Sequence, residues 1–180
     1  MSHGNGGEKM RILFSKPRLY GLSQGDRISY IRQLRMMTQD EVSDKLGITG
    51  DCKRRTMTRY ERGNRKPGDK RIKELSEVLQ VNINSIKQYD FENIIDLIYL
   101  FLWLEELYPK IEIYIPDSLV YMDKNKETLN VFLSEWEKMR TLKNNKIISF
   151  YEYIDWKFNY EIEWRDRLNE YRKDQLTRYR

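Results

Sequence analysis

A dense run of cationic side chains lies between Lys53 and Lys66 in this 180-residue chain. It holds seven basic residues against a single acid, Glu61. The guanidinium group of arginine is a planar fork of N–H donors that matches phosphate oxygens and the O6 and N7 atoms of guanine. Lysine adds a compact positive charge that attracts the same anions. The chemistry expected of this run is therefore recognition of an anionic polymer.

The spacing of the arginines predicts that they share one side of a helix. Arg55, Arg59 and Arg62 are four and three residues apart, which places them on one helix face. Met57 and Tyr60 fall on the other side, so the helix has a basic outer face and an apolar inner face. A charge cluster alone would favour an ordinary solvated surface. The neighbouring elements are needed to separate the two interpretations.

Four more short helices are predicted around the basic one. The first is expected over residues 26–34, and the second begins at a capping box formed by residues 38–41, Thr-Gln-Asp-Glu. The fourth is expected over 69–79, and a short fifth follows it, capped by Asn82 or Asn84. A helix, a short turn and a helix with a basic outer face form the layout that fits the major groove of B-DNA. This layout favours DNA binding over a solvated surface.

Three stretches of this region follow one another in the order of a known domain. They are MTQDEVSDKLGI, TMTRYERGNRKP and IKELSEVLQVNINSI. Together they resemble the helix-turn-helix domain of the XRE (Cro/phage-repressor) family, and the resemblance covers roughly residues 26–88. The Thr-Gln at a helix start, the Leu-Gly-Ile turn, and Arg-Tyr-Glu-Arg-Gly followed by a proline all fall in the family order.

The resemblance implies a role for each polar residue of the basic region. It implies base contacts by Arg54, Arg55, Thr58 and Arg59. It implies phosphate contacts by Gln39, Arg62, Asn64, Arg65 and Lys66. Glu61 is implied to be structural, paired with a neighbouring arginine.

The sequence departs from the family pattern by about four residues, at Thr49-Gly50-Asp51-Cys52. The insertion either extends the reading helix at its N-terminus or lengthens the turn before it. A group of Gram-positive proteins with this longer spacing is similar, and residues 135–140 match its Glu-Trp-x-x-Met-Arg helix. Cys52, beside three basic residues, is either an incidental thiol or a redox switch.

Charge and aromatic residues divide the chain into two halves. Residues 1–90 hold 19 basic and 11 acidic residues, and residues 91–180 hold 14 and 17. Five aromatic residues lie in the first half and 18 in the second. The first half is thus expected to meet an anion, and the second to bury large rings.

The predicted fold is mainly α. A flexible basic leader over 1–25 precedes a five-helix helix-turn-helix domain over 26–90. A C-terminal α+β domain over 91–180 is predicted to contain three helices and a β-hairpin near residues 111–122. The basic residues of the leader, Arg18 among them, form either a solvated tail or an arm that reaches a DNA groove.

The aromatic second half also has two interpretations. Its rings form either a core with a homodimer interface, or a pocket for a small-molecule or peptide effector. The last helix is predicted to open at a Ser149–Glu152 capping box. The carboxylates of Glu105 and Glu106 are expected to be solvated on a helix surface.

Composition and motifs exclude several classes of function. One cysteine rules out an intramolecular disulfide, and one histidine and one cysteine leave too few ligands for a His/Cys metal site, so no metal or cofactor is predicted. No nucleophile elbow or phosphate-cradling glycine loop is present, so no enzyme is predicted. No apolar run approaches about 18 residues, so no membrane span is predicted.

The sequence therefore predicts a cytoplasmic, nucleoid-associated regulator of transcription. It is expected to bind double-stranded DNA sequence-specifically, as a homodimer that acts as a repressor. The alternative is a protein-interaction adaptor, antitoxin-like or part of a regulatory complex, that uses the helical domain and the aromatic half to bind another protein.

Overall fold

The computed structural model describes residues 16–50, 53–108 and 126–161, with the side chains of the last range described from residue 128. Eight α-helices and no strand lie within these ranges. They are α1 (Gln24–Leu34), α2 (Gln39–Lys45), α3 (Lys53–Glu61), α4 (Asp69–Leu79), α5 (Ile83–Ile86), α6 (Ile94–Leu107), α7 (Lys126–Asn144) and α8 (Phe150–Phe158). No helix of the described ranges is long and apolar enough to cross a membrane.

Local hydrogen bonds explain where the helices begin. Thr38 and Glu41 form the predicted capping box, in which the Thr38 hydroxyl accepts from the Glu41 N–H at 3.1 Å and the Glu41 carboxylate accepts from the Thr38 N–H at 2.6 Å. The box predicted at Ser149 and Glu152 is confirmed at the start of α8. Asn82 caps α5, with its side-chain oxygen 2.9 Å from the Asn84 nitrogen. These caps fix the helix starts that sequence spacing predicts.

The turn between α2 and α3 depends on glycine conformation. Gly47 has φ +66° and Gly50 has φ +82°, both in the left-handed region that favours glycine. Thr49 and Gly50 lie outside any helix, and α3 is described from Lys53. The first two inserted residues therefore lengthen the turn, whereas Asp51 and Cys52 lie outside the described residues. The redox hypothesis for Cys52 stays a prediction.

The core of the first half continues into the second. The buried residues Ile28, Val42 and Leu75 belong to the same cluster as Trp103 of α6 and Phe158 of α8. The Trp103 and Phe158 rings stack with centroids 4.7 Å apart, and the Trp103 indole N–H donates to the Ser85 carbonyl at 3.1 Å. A second cluster of buried rings joins α6, α7 and α8; it includes Tyr99, Phe132, Trp136, Tyr153 and Tyr160. Helices α6 and α8 thus serve both cores.

The second half is only partly described. Its three predicted helices are confirmed as α6, α7 and α8. The predicted β-hairpin falls in residues 109–125, outside the described residues, and the described part of the chain gives it no support.

The expectation that Glu105 and Glu106 are solvated is wrong. They are only 9% and 7% exposed, and the ammonium group of the fully buried Lys157 donates to both, at 2.8 and 2.7 Å. The Tyr30 hydroxyl of α1 donates to Glu106 at 2.6 Å, and the Lys16 ammonium lies 2.7 Å from it. We call these five residues the junction cluster, because they tie the first half of the chain to α6 and α8. Their partners come from distant segments, which no local pattern could indicate.

The junction cluster holds its carboxylates ionised. Burial alone would raise the pKa of Glu106, but the nearby charges and hydrogen bonds of Lys157 and Lys16 outweigh it and lower that pKa to about 2. The pKa of Glu105 is lowered for the same reason, against its own burial, by Lys157, Tyr153 and Lys143. Burial and the neighbouring Glu106 charge raise the pKa of Tyr30, so its hydroxyl stays a proton donor. Each buried charge of the junction cluster therefore lies beside an opposite charge.

Candidate nucleic-acid interface

Helix α3 presents its basic face to solvent. Met57 and Tyr60 are buried against the core, as the sequence predicts. Arg54, Arg55 and Arg59 are exposed on the opposite side of the helix. The amphipathic character of α3 thus orients its arginines outward.

These arginines have no internal counter-charge among the described residues. No carboxylate of the described ranges forms an ion pair with Arg54, Arg55, Arg59 or Arg62. By contrast, Lys53 at the start of the same helix pairs with Asp44 of α2. The basic charge on the outer face is therefore available to an external anion.

The predicted base-contact residues and two of the predicted phosphate-contact residues lie around one shallow groove. Its volume is about 520 Å³ and its lining is Arg54, Arg55, Thr58, Arg59, Arg62 and Asn64. We call these six residues the reading surface. All four residues predicted to contact bases and two of the five predicted to contact phosphates are brought together here.

Glu61 fixes the end of α3 against the first two helices. Its carboxylate accepts from the Arg32 guanidinium at 2.6 and 3.0 Å, from Ser29 at 3.1 Å and from the Gln39 amide at 2.8 Å. The structural role predicted for Glu61 and its pairing with an arginine are confirmed. A two-pronged Arg–carboxylate contact of this kind restrains orientation as well as distance. The reading surface is thereby fixed relative to α1 and α2.

Gly25 lets α1 approach the end of α3. A Cβ atom on Gly25 would lie 2.4 Å from the Glu61 carbonyl oxygen and 2.6 Å from that of Tyr60. Any side chain there would therefore push the two helices apart. Sequence reasoning missed both Gly25 and Arg32, although a glycine inside an amphipathic helix is itself a signal of close packing.

Gln39 and Thr58 are partly committed to internal hydrogen bonds. The Thr58 hydroxyl lies 2.8 Å from the Arg54 carbonyl oxygen and 3.0 Å from the Gln39 side-chain oxygen. The Gln39 amide nitrogen donates to Glu61. Contact with DNA by either side chain requires these bonds to be exchanged or extended. Their DNA-contact roles stay predictions.

The loop after α3 displays the remaining cations. Gly63 turns the chain with φ +72°, and the Arg65 N–H then donates back to the Arg59 carbonyl at 3.1 Å. The Arg65 guanidinium lies 5.8 Å from the Tyr60 ring centroid. Asn64, Arg65 and Lys66 are all exposed. The loop therefore continues the positive surface beyond the helix end.

The family comparison agrees with this geometry. Residues 28–86 match the family model described as Helix-turn-helix. No curated protein and no solved structure matches the chain. The matched segment begins inside α1 and ends with α5, so it spans the reading surface and the helices that hold it. Over these residues the chain is similar to the helix-turn-helix domain found in XRE-type, DNA-binding transcriptional regulators.

Proposed function

We propose that the protein represses transcription by binding double-stranded DNA sequence-specifically as a homodimer, in the cytoplasm at the nucleoid. The observation that carries the proposal is the reading surface itself. Its four arginines are exposed and lack carboxylate partners among the described residues, while the partly buried Glu61 holds the helix beneath them. A surface built this way offers charge and hydrogen-bond donors from a helix whose backbone is already fixed in place, so binding does not have to order that backbone.

The arginines divide by position into base readers and backbone contacts. The major groove of B-DNA is about 12 Å wide and admits one α-helix. With α3 in the groove, Arg54, Arg55 and Arg59 would face base edges, where an arginine donates two hydrogen bonds to a guanine. Arg62 and the loop residues Asn64, Arg65 and Lys66 would lie against phosphates, together with Gln39 at the start of α2.

The apolar surface of α6 supports the proposed homodimer. This helix has apolar side chains around most of its circumference, and Ile95, Leu97 and Phe101 are only partly buried within the described residues. A twofold dimer would bind two half-sites whose centres are about 34 Å or a multiple of it apart. Occupation of such an operator excludes other proteins from the same DNA, which is the physical basis of repression.

A mobility-shift titration on a set of genomic fragments tests the proposal. We expect tight retardation of a few fragments in the presence of random-sequence competitor, with affinity falling steeply as salt rises. Lys138→Ala, which removes one exposed charge on α7, is the matched control and should bind as the parent protein does. Weak, salt-sensitive binding without sequence preference would contradict the proposal and favour the adaptor alternative.

A further inference from the structure

The leader segment, residues 16–22, is attached to the body of the protein. Leu19 is buried in the core of the first half. The Lys16 ammonium is 2.7 Å from the Glu106 carboxylate and 5.1 Å from the Phe150 ring centroid. The segment thus has one apolar and one ionic attachment, so the residues between and beside them have defined positions.

Arg18 and Tyr20 face away from this attachment. They flank the buried Leu19, and both are exposed, Tyr20 by 79%. The Arg18 guanidinium lies 5.3 Å from the Tyr20 ring centroid. Gly21 brings the segment close to α1, since a Cβ there would lie 2.7 Å from the Asp26 carboxylate. The pair is therefore held near the N-terminus of α1.

The same two residues line a cleft with α3. The cleft has a volume of about 500 Å³ and lies between the leader segment, α1 and α3. Arg54, Thr58 and Arg62 line both this cleft and the groove of the reading surface. The leader segment therefore borders the reading surface, and Arg18 adds a third guanidinium to those of Arg54 in α3 and of Arg62 just after it.

The acids of the cleft are already engaged. Glu61 is paired with Arg32 at 2.6 Å. The Asp26 carboxylate accepts from the Ser23 hydroxyl at 2.6 Å and from the Ser23 N–H at 3.2 Å as part of a helix cap. Among the described residues, neither acid pairs with the guanidinium groups that line the cleft. The cleft thus keeps an excess of positive charge.

We propose that Arg18 and Tyr20 form a clamp for a DNA backbone phosphate on the strand that borders α3. The inference rests on the proposed function, because it needs α3 in the major groove. A helix in that groove is flanked by phosphates of both strands, and Arg18 beside Arg54 and Arg62 meets one of them with a charge-assisted hydrogen bond. The Tyr20 hydroxyl adds a neutral donor. The clamp contributes affinity and register without base preference.

The test measures affinity against salt for Arg18→Ala, Arg18→Lys and Tyr20→Phe, on a bound fragment and on random DNA. One lost phosphate contact lowers the salt slope by about 0.9, so the ratio of affinities at about 50 and 200 mM salt falls about threefold for Arg18→Ala. Arg18→Lys retains the charge and should retain the slope. Tyr20→Phe should slightly weaken binding to both DNAs and leave the salt slope unchanged. Thermal unfolding verifies that each variant is folded.

Three outcomes would overturn the clamp, and the measurements distinguish them from one another. The first outcome is that Arg18→Ala binds DNA with unchanged affinity and unchanged salt slope while Lys66→Ala binds more weakly and with a lower salt slope. In that case the clamp is wrong and the proposed function stands. If Arg18→Ala loses affinity only for the specific fragment, Arg18 contacts bases and the phosphate assignment is wrong. If the parent protein binds no DNA, the proposed function fails and the clamp fails with it.

Discussion

The reading surface and the junction cluster both contain cations, but the junction buries and pairs a cation whereas the reading surface leaves its cations exposed. At the junction, Lys157 is fully buried and held by two carboxylates at 2.7 and 2.8 Å. On the reading surface, Arg54, Arg55 and Arg59 are exposed and have no carboxylate partner among the described residues. The difference separates a charge that holds the fold together from a charge that is available to a ligand.

The energetics of burial explain this difference between paired and unpaired charges. A buried charge without a partner costs several kcal/mol, so the junction cations must be matched within the chain. An exposed arginine keeps its hydration and needs no partner for stability. Substitutions at the junction should therefore change stability, and substitutions on the reading surface should change DNA affinity.

Lys157→Met should have the largest effect on stability of the substitutions considered. It leaves Glu105 and Glu106 buried without their shared ammonium partner, so we expect the free energy of unfolding to fall by about 3–5 kcal/mol. Chemical denaturation measures the change, with Lys138→Met as the exposed control on α7. An unchanged midpoint for Lys157→Met would show that the cluster is not needed for stability.

Acid should weaken the same cluster. Because the folded-state pKa of Glu106 is about 2, below its value in the unfolded chain, its contribution is complete above the unfolded pKa and is lost as pH falls towards 2. The full contribution is on the order of 3 kcal/mol. We expect the free energy of unfolding to fall between about pH 5 and pH 2, and less steeply in Glu106→Gln. Identical pH dependence in the two proteins would contradict the ion pairing.

Arg59→Ala should lower DNA affinity without changing stability. It removes a base-reading donor from an exposed position, so we expect a loss of about 1–3 kcal/mol in binding to a specific site and relaxed preference at one base pair. Unfolding should stay as in the parent protein. An equal loss on specific and random DNA would contradict the base-reading role of Arg59.

Lys66→Ala should give the smallest effect. The exposed ammonium of Lys66 is proposed to contact a phosphate, so its removal should weaken binding to all sequences alike and lower the salt slope by about one. Fluorescence anisotropy at several salt concentrations measures both quantities. A loss confined to one sequence would overturn the phosphate assignment.

Most of the first half is predictable from sequence because its signals are local. The helix start at Thr38, the left-handed turn at Gly47 and the burial of Met57 and Tyr60 each depend on residues a few positions apart. Short-range spacing determines such features, and the helices follow.

The junction cluster could not be predicted, because its contacts join residues far apart in sequence. Glu106 lies 51 residues from Lys157 and 76 from Tyr30. Two adjacent glutamates on a helix give the same local pattern whether they are solvated or buried. The hydrogen bonds of Gln39 with Glu61 and with Thr58 likewise arise only when α2 and α3 are packed together.

Selection of bound DNA from a random pool is the decisive measurement of sequence-specific binding, because it reports base preference, half-site spacing and symmetry together. We expect enrichment of a palindromic site whose half-sites are about 34 Å or a multiple of it apart, with guanines at the positions that the α3 arginines face. Recovery of DNA with no enriched sequence would contradict base reading by the reading surface.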